Sequence, residues 1–318
     1  MTVPLDELGA HSTALDVVAG LDLRGHRAVV TGGAAGIGLE TVRALAAAGS
    51  DVTIATRDLD AARAAVDDVV GSTGNPAVHA ARLDLTDLDS VDAFTAAWEG
   101  PLHALVLNAG VMDTPFRLTR HGWELQLATN HLGHMALTLG LRRALAAAGG
   151  ARVVVVSSSG HASSPVVLDD LMFERRPYDP GLAYGQSKTA NVLFAVELTR
   201  RWADDDVTAD ALMPGGVWTG LQQHWDPGHL AELKRRTAGS GVVKTPEQGA
   251  ATSVMLAVRP EVADAGGRYF EDCHEADVVD RVTDGLHGVV PHALDPVAAR
   301  ALWERSLELL DGAGHPAR

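Results

Sequence analysis

Cysteine is almost missing from this 318-residue sequence. Cys273 stands alone, so no disulfide, redox pair or thiolate metal cluster can form within one chain. That usage suits a reducing, cytoplasmic compartment. The opening MTVPLDELGAHSTALDVVAG lacks a basic segment followed by an apolar core, and no later stretch is a long uncharged apolar run. Neither secretion nor a membrane span is therefore expected. Positive charge is also scarce. A net charge of −15 repels polyanions, which argues against nucleic acid and anionic membrane surfaces as partners and in favour of a small organic substrate. Internal repeats are absent as well, and the Ala-rich stretches read as helix-forming composition.

What is present is a globular composition, 46% hydrophobic and 21% charged, with enough apolar residues for a sizeable core. Short β-branched runs at 28–31, 51–55, 104–107, 152–156 and 207–212 are each followed by a helical pattern or a loop leading to one. Such alternation predicts an α/β fold, a doubly wound parallel sheet with helices on both faces. The run VVVV at 153–156 has no polar alternation, as a central strand buried on both sides requires. Residues 1–22 read as an N-terminal extension and residues 23–318 as one domain. Asp295 and Pro296 signal a terminal helix over about 296–311, in which Trp303, Leu307 and Leu310 share one face and Gly312 can end the helix. Docking of that face on its own domain is expected, with a subunit interface as the alternative.

The segment AVVTGGAAGIGLETVRALAAAG sets a glycine-rich turn between a strand and a helix. Gly32, Gly36 and Gly38, with Ile37 between the last two, give the spacing TGxxxGxG. Glycine lets a pyrophosphate approach the backbone closely, and the free N–H groups of the following helix attract its charge. An ordinary strand-to-helix turn is the bland alternative. The acidic residue that would bind the 2′-hydroxyl of NAD is missing where the second strand ends, and Thr56 and Arg57 stand there instead. The guanidinium fork of Arg57 can pair with a 2′-phosphate, which favours NADP(H) over NAD(H). Asp58 next door opposes this preference, and Arg57 as a solvated loop residue remains the competing reading.

In AYGQSKTANVLFAVEL, Tyr184 and Lys188 lie four apart on one helix face. Hydride transfer to a carbonyl needs a proton donor for the developing alkoxide, and a tyrosine serves if its phenol pKa falls towards neutrality. A shift from about 10 to about 7 requires roughly 4 kcal/mol of preferential phenolate stabilisation, within reach of a desolvated ammonium and a nicotinamide cation together. Ser158, at the end of the buried strand, is placed to hydrogen-bond the reacting oxygen, with Ser157 and Ser159 as neighbours that compete for that role. Taken by itself, a YxxxK pair is common as surface packing.

Together, TGGAAGIG, NAG at Asn108, Ala109 and Gly110, Asn130 in TNHLGH, VSSS, YGQSK and PGGVWT closely resemble the short-chain dehydrogenase/reductase family over residues 23–270. The resemblance implies a single Rossmann-like domain. It also implies that Ser158, Tyr184 and Lys188 are the catalytic triad and that Asn130 supports a water-linked proton relay from the lysine. Asn108 corresponds to the asparagine that steadies the central strand, and Asp84, followed by Leu85 in LDLTD, to an adenine contact. Pro214, Gly215, Val217 and Thr219 match the segment at the nicotinamide end, with Met213 and Trp218 facing substrate. A strand-end turn and a helix cap are the structural alternatives for Asn108 and Asp84. VTIATRD, LAYGQSKTANVLF and KTPEQGAATS look most like the retinol-dehydrogenase-like branch, which implies NADP(H) and an apolar substrate. The hydrophobic N-terminal anchor of membrane-bound retinol dehydrogenases is not matched, and no residue specifies a retinoid.

The separation between Ser158 and Tyr184 is longer than in most of that family, and the inserted loop is expected to border the site. A lid is expected at about 220–243, where Leu221, His224, Trp225 and Leu230 suggest an apolar substrate. His131 and His134, preceded by Trp123, raise a metal reading that no third ligand at proper spacing supports. Competing functions are a sugar-nucleotide epimerase or dehydratase, which also uses YxxxK, and a dinucleotide sensor without chemistry. A homo-oligomer is left open.

Overall fold

The computed structural model describes residues 2–239 and 241–315, so Met1, Ser240 inside the expected lid and residues 316–318 at the end of the expected domain lie outside the described residues. Among the described residues, ten strands occur in chain order: β1 (Arg27–Thr31), β2 (Asp51–Thr56), β3 (Val78–Arg82), β4 (Ala104–Leu107), β5 (Ala151–Val156), β6 (Val207–Met213), β7 (Gly216–Val217), β8 (Val243–Lys244), β9 (Tyr269–Glu271) and β10 (His274–Glu275). Eight of them form one sheet in the order β10-β9-β6-β5-β4-β1-β2-β3, parallel except for the β9–β10 pair, while β7 and β8 pair separately.

Period-two alternation divides the strand side chains between two apolar layers. Val29, Leu105, Val153 and Val155 pack on one face with Leu127, Leu132 and Phe194, and Ala28, Val106, Val154 and Val156 pack on the other with Val42, Leu45, Val254 and Met255. Each such valine contributes about 1.5 kcal/mol or more on burial, which is why the VVVV run belongs in the middle of the sheet. The strand order reverses between β1 and β4, and the crevice at their carboxyl ends is where open α/β sheets bind ligands.

Five strands fall outside the runs expected from sequence, the two-residue β7, β8 and β10 and the longer β3 and β9. Val78–Arg82 reads VHAAR, and as the sheet edge opposite β10 it is only partly buried, so no β-branched run was needed. Tyr269–Glu271 is three residues long and follows a loop rather than a helix–strand pattern. The terminal helix spans Pro296–Gly312, with Asp295 accepting from Val297 N at its start. Trp303 stacks on Phe194 at 5.6 Å, so the apolar face docks on the long Pro180–Arg201 helix of the same chain. The N-terminal residues include a helix, Ala14–Val18, with a Thr13–Asp16 capping box. Buried Arg259 donates to the carbonyls of Val17 and Val3, fastening that segment to the sheet layer. Among the described residues, no helix is long and apolar enough to cross a membrane.

Candidate active site

At the carboxyl ends of β1, β4, β5 and β6 lies a cleft of about 440 Å³. Its floor begins where β1 turns into the Gly36–Ala47 helix. Gly32 and Gly36 hold φ of 66° and 54°, the left-handed region that favours glycine, and a Cβ on Gly38 would lie 2.5 Å from both Asn108 Nδ2 and Gly32 O. This helix starts at Ala35 with no side-chain cap and no acid in its first turn, whereas Asp58, Asp87, Asp179 and Asp295 cap the helices that follow them. Uncapped N–H groups at the floor of a cleft, beside backbone kept bare of side chains, form a donor set that fits a pyrophosphate.

The walls hold further residues singled out from sequence. Thr31 Oγ1 accepts from Asn108 N and Ala109 N at 2.9 Å, and Asn108 Nδ2 donates to Thr31 O at 2.9 Å, so the NAG segment is pinned to β1 at the sheet's reversal point. Asp84 accepts from Thr86 N and Oγ1, a turn that leaves the capping of Leu88–Ala96 to Asp87. Ile37, Leu85, Gly110, Pro214, Gly215, Val217 and Thr219 all line the cleft. Thr219 and Gln222 form a reciprocal capping box, and Gln222 Nε2 also donates to Val217 O, so buried Gln222 holds the segment that follows β6.

Arg57 is exposed at the mouth of the cleft, where a second, open basin is lined by Arg57, Asp58, Leu59, Asp60, Arg63 and Arg82. Asp58 is committed elsewhere: its carboxylate accepts from Asp60 N and Ala61 N as a helix cap. Arg82 ends β3 in register with Thr56 and escaped notice in the sequence, although a basic residue directly before LDLTD was a usable signal. Among the described residues, neither Arg57 nor Arg82 makes an ion pair.

At the other end, the Pro180–Arg201 helix places Tyr184 and Lys188 against Ser158. Ser158 Oγ accepts from Gly160 N at 3.1 Å, which leaves its own proton free, whereas Ser157 Oγ donates to Lys188 O and so serves as a structural tie. Lys188 Nζ donates to Val156 O at 3.0 Å and lies 5.6 Å from the centre of the Tyr184 ring. Burial lowers the ammonium from 10.5 to about 8. The same burial pushes the Tyr184 phenol up to about 12, against the lowering effect of the Ser158 hydroxyl and with a smaller raising effect of Asp113. Desolvation of the phenolate is the largest influence on this phenol, and the depression expected from sequence involves the ammonium and a nicotinamide cation together.

Asn130 sits in a π-helical turn, Ala128–Leu132, behind Gly110. Its Oδ1 accepts from Val111 N at 2.9 Å, and its Nδ2 reaches Val111 O and Ser187 Oγ, binding the NAG loop to the Pro180–Arg201 helix. π-turns of this kind often sit at functional sites. His134 Nε2 pairs with Thr31 Oγ1 and His131 Nε2 with Ser306 Oγ, so both histidines serve as buried hydrogen-bonding residues. No cluster of metal-ligating residues occurs among the described residues.

Substrate-side expectations fared unevenly. Met213, Leu221 and Trp225 line the cleft, joined by Met112 and Leu286, which sequence reading missed. Trp218, His224 and Leu230 do not: the Trp218 ring packs edge-on against Trp225 instead. The lid region is a short turn, Gly220–His224, followed by the Pro227–Thr237 helix. Trp225 Nε1 donates to Asp113 Oδ2 at 2.6 Å, connecting the region of the expected lid to a residue held at φ 51° whose charge acts on Tyr184. The inserted loop after Ser159 supplies no wall of the main cleft, contrary to expectation. It buttresses from outside, where the Tyr178 hydroxyl bonds Thr114 O, Glu124 Oε1 and Gln126 Nε2, because Leu171, Met172 and Phe173 find burial against the core there.

The model of the short chain dehydrogenase family matches residues 26–229. The chain belongs to that family of oxidoreductases, in its retinol-dehydrogenase-like branch. It is 53% identical over 296 residues to a probable oxidoreductase of Streptomyces lividans, covering 91% of this chain and 99% of that one. Human retinol dehydrogenase 13 is 37% identical over 294 residues, 90% of this chain and 85% of the relative. Among solved structures, an uncharacterised Mycobacterium paratuberculosis protein superposes with a TM-score of 0.72 at 32% identity, covering 95% of this chain and 98% of that one. As a family member the chain takes a nicotinamide dinucleotide and a small-molecule substrate.

Proposed function

We propose that this short-chain dehydrogenase is an NADP(H)-dependent enzyme that moves a hydride between nicotinamide and the carbonyl or alcohol carbon of an apolar small molecule, with Tyr184 as general acid and base. The observation that carries this reading is the meeting of a buried phenol, a buried ammonium and a free serine hydroxyl at one end of a cleft whose other end presents uncapped helix N–H groups.

Gly32, Gly36, Ile37 and Gly38 would hold the pyrophosphate, Asp84 and Leu85 the adenine end, Asn108, Ala109 and Gly110 the middle, and Pro214, Gly215, Val217 and Thr219 the nicotinamide end. Bound there, the nicotinamide supplies or takes up the hydride. Arg57 and Arg82 flank the basin where a 2′-phosphate would lie, and Asp58 is turned away into its cap, which supports NADP(H) over NAD(H). At a phenol pKa of about 12 Tyr184 rests fully protonated, the state required to give a proton to a carbonyl oxygen during reduction. Ser158 donates its free proton to the same oxygen and holds it beside the phenol. Lys188, which makes no ion pair among the described residues, places a positive charge that favours phenolate once the proton has left. Asn130 fixes the backbone beside the lysine along which the proton is restored. Met112, Met213, Leu221, Trp225 and Leu286 give the substrate side an apolar lining.

The test is to follow nicotinamide absorbance with NADPH and NADH against apolar aldehydes and ketones, including polycyclic ones. NADPH oxidation that falls by about 10³-fold or more in Tyr184→Phe is expected. Tight dinucleotide binding with no turnover on any carbonyl overturns the reading in favour of a sensor.

A further inference from the structure

The residue after Gly160 belongs to no role described so far, yet its side chain is entirely buried directly below the reacting serine. His161 Nδ1 lies 2.7 Å from Ser158 O, and the backbone N–H of His161 donates to that same carbonyl at 3.1 Å. On the far side of the ring, Val290 N donates to Nε2 at 3.2 Å. A backbone N–H can only donate, so Nε2 must be the bare nitrogen and Nδ1 the protonated one, which donates to Ser158 O. Protonation of both nitrogens would set two donors against each other at Val290, and burial, the largest influence on the ring, lowers its pKa. The Tyr269 hydroxyl lies 3.3 Å from Nδ1, and the carbonyl of His161 receives Thr189 Oγ1, one residue beyond Lys188, at 2.9 Å and faces His292 Nε2 at 3.2 Å.

We infer that His161 is a positioning residue: held as its neutral Nδ1–H tautomer by Val290, it clamps the Ser158 carbonyl and so aims the Ser158 hydroxyl at the reacting oxygen, tying the chain segment before the terminal helix to the chemistry. This rests on the role given to Ser158 above. The titratable neighbours that face the ring are Tyr269 from β9 and His292 from the C-terminal segment, with Tyr184 acting on Tyr269 from behind it.

Two substitutions separate the ring's halves. In His161→Asn the amide nitrogen can take the place of Nδ1 and keep the Ser158 bond. In His161→Gln the longer amide reaches the Nε2 position and leaves Ser158 O without its side-chain donor. Both lose one hydrogen bond, so a general loss of stability affects them alike. His161→Asn should keep kcat within about threefold of wild type, while His161→Gln should lower kcat by about tenfold, less than the roughly 10²–10³ for deleting an oxyanion donor outright. The Michaelis constant for the dinucleotide should be unchanged in both. Because Ser158 pulls the phenol pKa down, the basic limb of the kcat–pH profile should move upward in the Gln variant alone. Equal losses in the two variants, or a loss carried by the dinucleotide Michaelis constant, would overturn the inference. Nitrogen-15 NMR of the wild-type imidazoles, assigned by the signal missing in each variant, should show one ring neutral and Nδ1-protonated throughout. An Nε2-protonated ring, or titration between about pH 5 and 8, also overturns it, and that readout needs no turnover. Unchanged turnover in Ser158→Ala would instead count against the role of Ser158 itself.

Discussion

Lys188 is a charge held in the wrong solvent, and Lys188→Met should expose the size of that penalty. Burial takes the ammonium from 10.5 to about 8, and at about 1.36 kcal/mol per tenfold change in proton affinity the charged form is disfavoured by about 3 kcal/mol. The variant also loses the bond to Val156 O, worth about 1 kcal/mol, although Asn191 Nδ2 still donates to that carbonyl at 3.1 Å. The net expectation is a gain of about 2 kcal/mol at neutral pH, about 4 °C in Tm for a domain of this size, together with loss of turnover. Lys188 is neutral in the fold above pH about 8 but charged in the unfolded chain up to about 10.5. Between those values the unfolded state binds more protons, so wild-type stability rises with pH relative to the variant. Thermal unfolding of both proteins from pH 7 to 10.5 should show a gap that is constant below 8 and closes above it. A destabilised variant at pH 7, or a gap indifferent to pH, refutes the reasoning.

Three further outcomes follow from the geometry. Arg57→Ala and Arg82→Ala should each weaken binding of 2′,5′-ADP by about tenfold, the worth of one exposed charge-assisted contact, and leave 5′-AMP unaffected. Calorimetry reads both, and equal losses for the two nucleotides would contradict the assignment of that basin. Trp225→Phe removes the donor to Asp113 while keeping an aromatic ring, so the Michaelis constant for an apolar carbonyl should rise several-fold with dinucleotide affinity intact. Gly38→Ala would press a Cβ against Asn108 Nδ2 and Gly32 O at 2.5 Å. Dinucleotide binding, followed by nicotinamide fluorescence, should be lost or fall by more than tenfold, and retention at wild-type affinity would show that the floor is not built as described.

The central strands were readable because a strand buried on both faces leaves no room for polar alternation, as at 153–156. Val78–Arg82 left no such trace, since an edge strand with one half-exposed face tolerates His, Ala and Arg. The dinucleotide end of the cleft was legible because glycines at fixed spacing have few other uses between a strand and a helix. Its partner Arg82 left only the weak signal of a basic residue directly before LDLTD, since it is the register between β2 and β3 that brings it beside the end of β2, and no local spacing predicts register. The substrate side was least legible. Trp225 and Trp218 look alike in sequence, but only one ring faces the cleft, and Leu286 and Asp113 arrive from loops whose course depends on tertiary contacts. The insertion looked like a wall because of its place after Ser158, yet its own apolar residues draw it onto the core. The phenol's resting state was not legible either: YxxxK spacing sets proximity, whereas desolvation, the largest influence on Tyr184, depends on everything packed around the pair.

The most direct test of the central claim is transfer of deuterium from stereospecifically labelled NADPH to the carbon of an apolar carbonyl substrate, read by mass spectrometry of the alcohol product. One deuterium per product molecule with wild type and none with Tyr184→Phe is the predicted result. Product formed without label, or equal labelling by the variant, would contradict a tyrosine-dependent hydride transfer at this site.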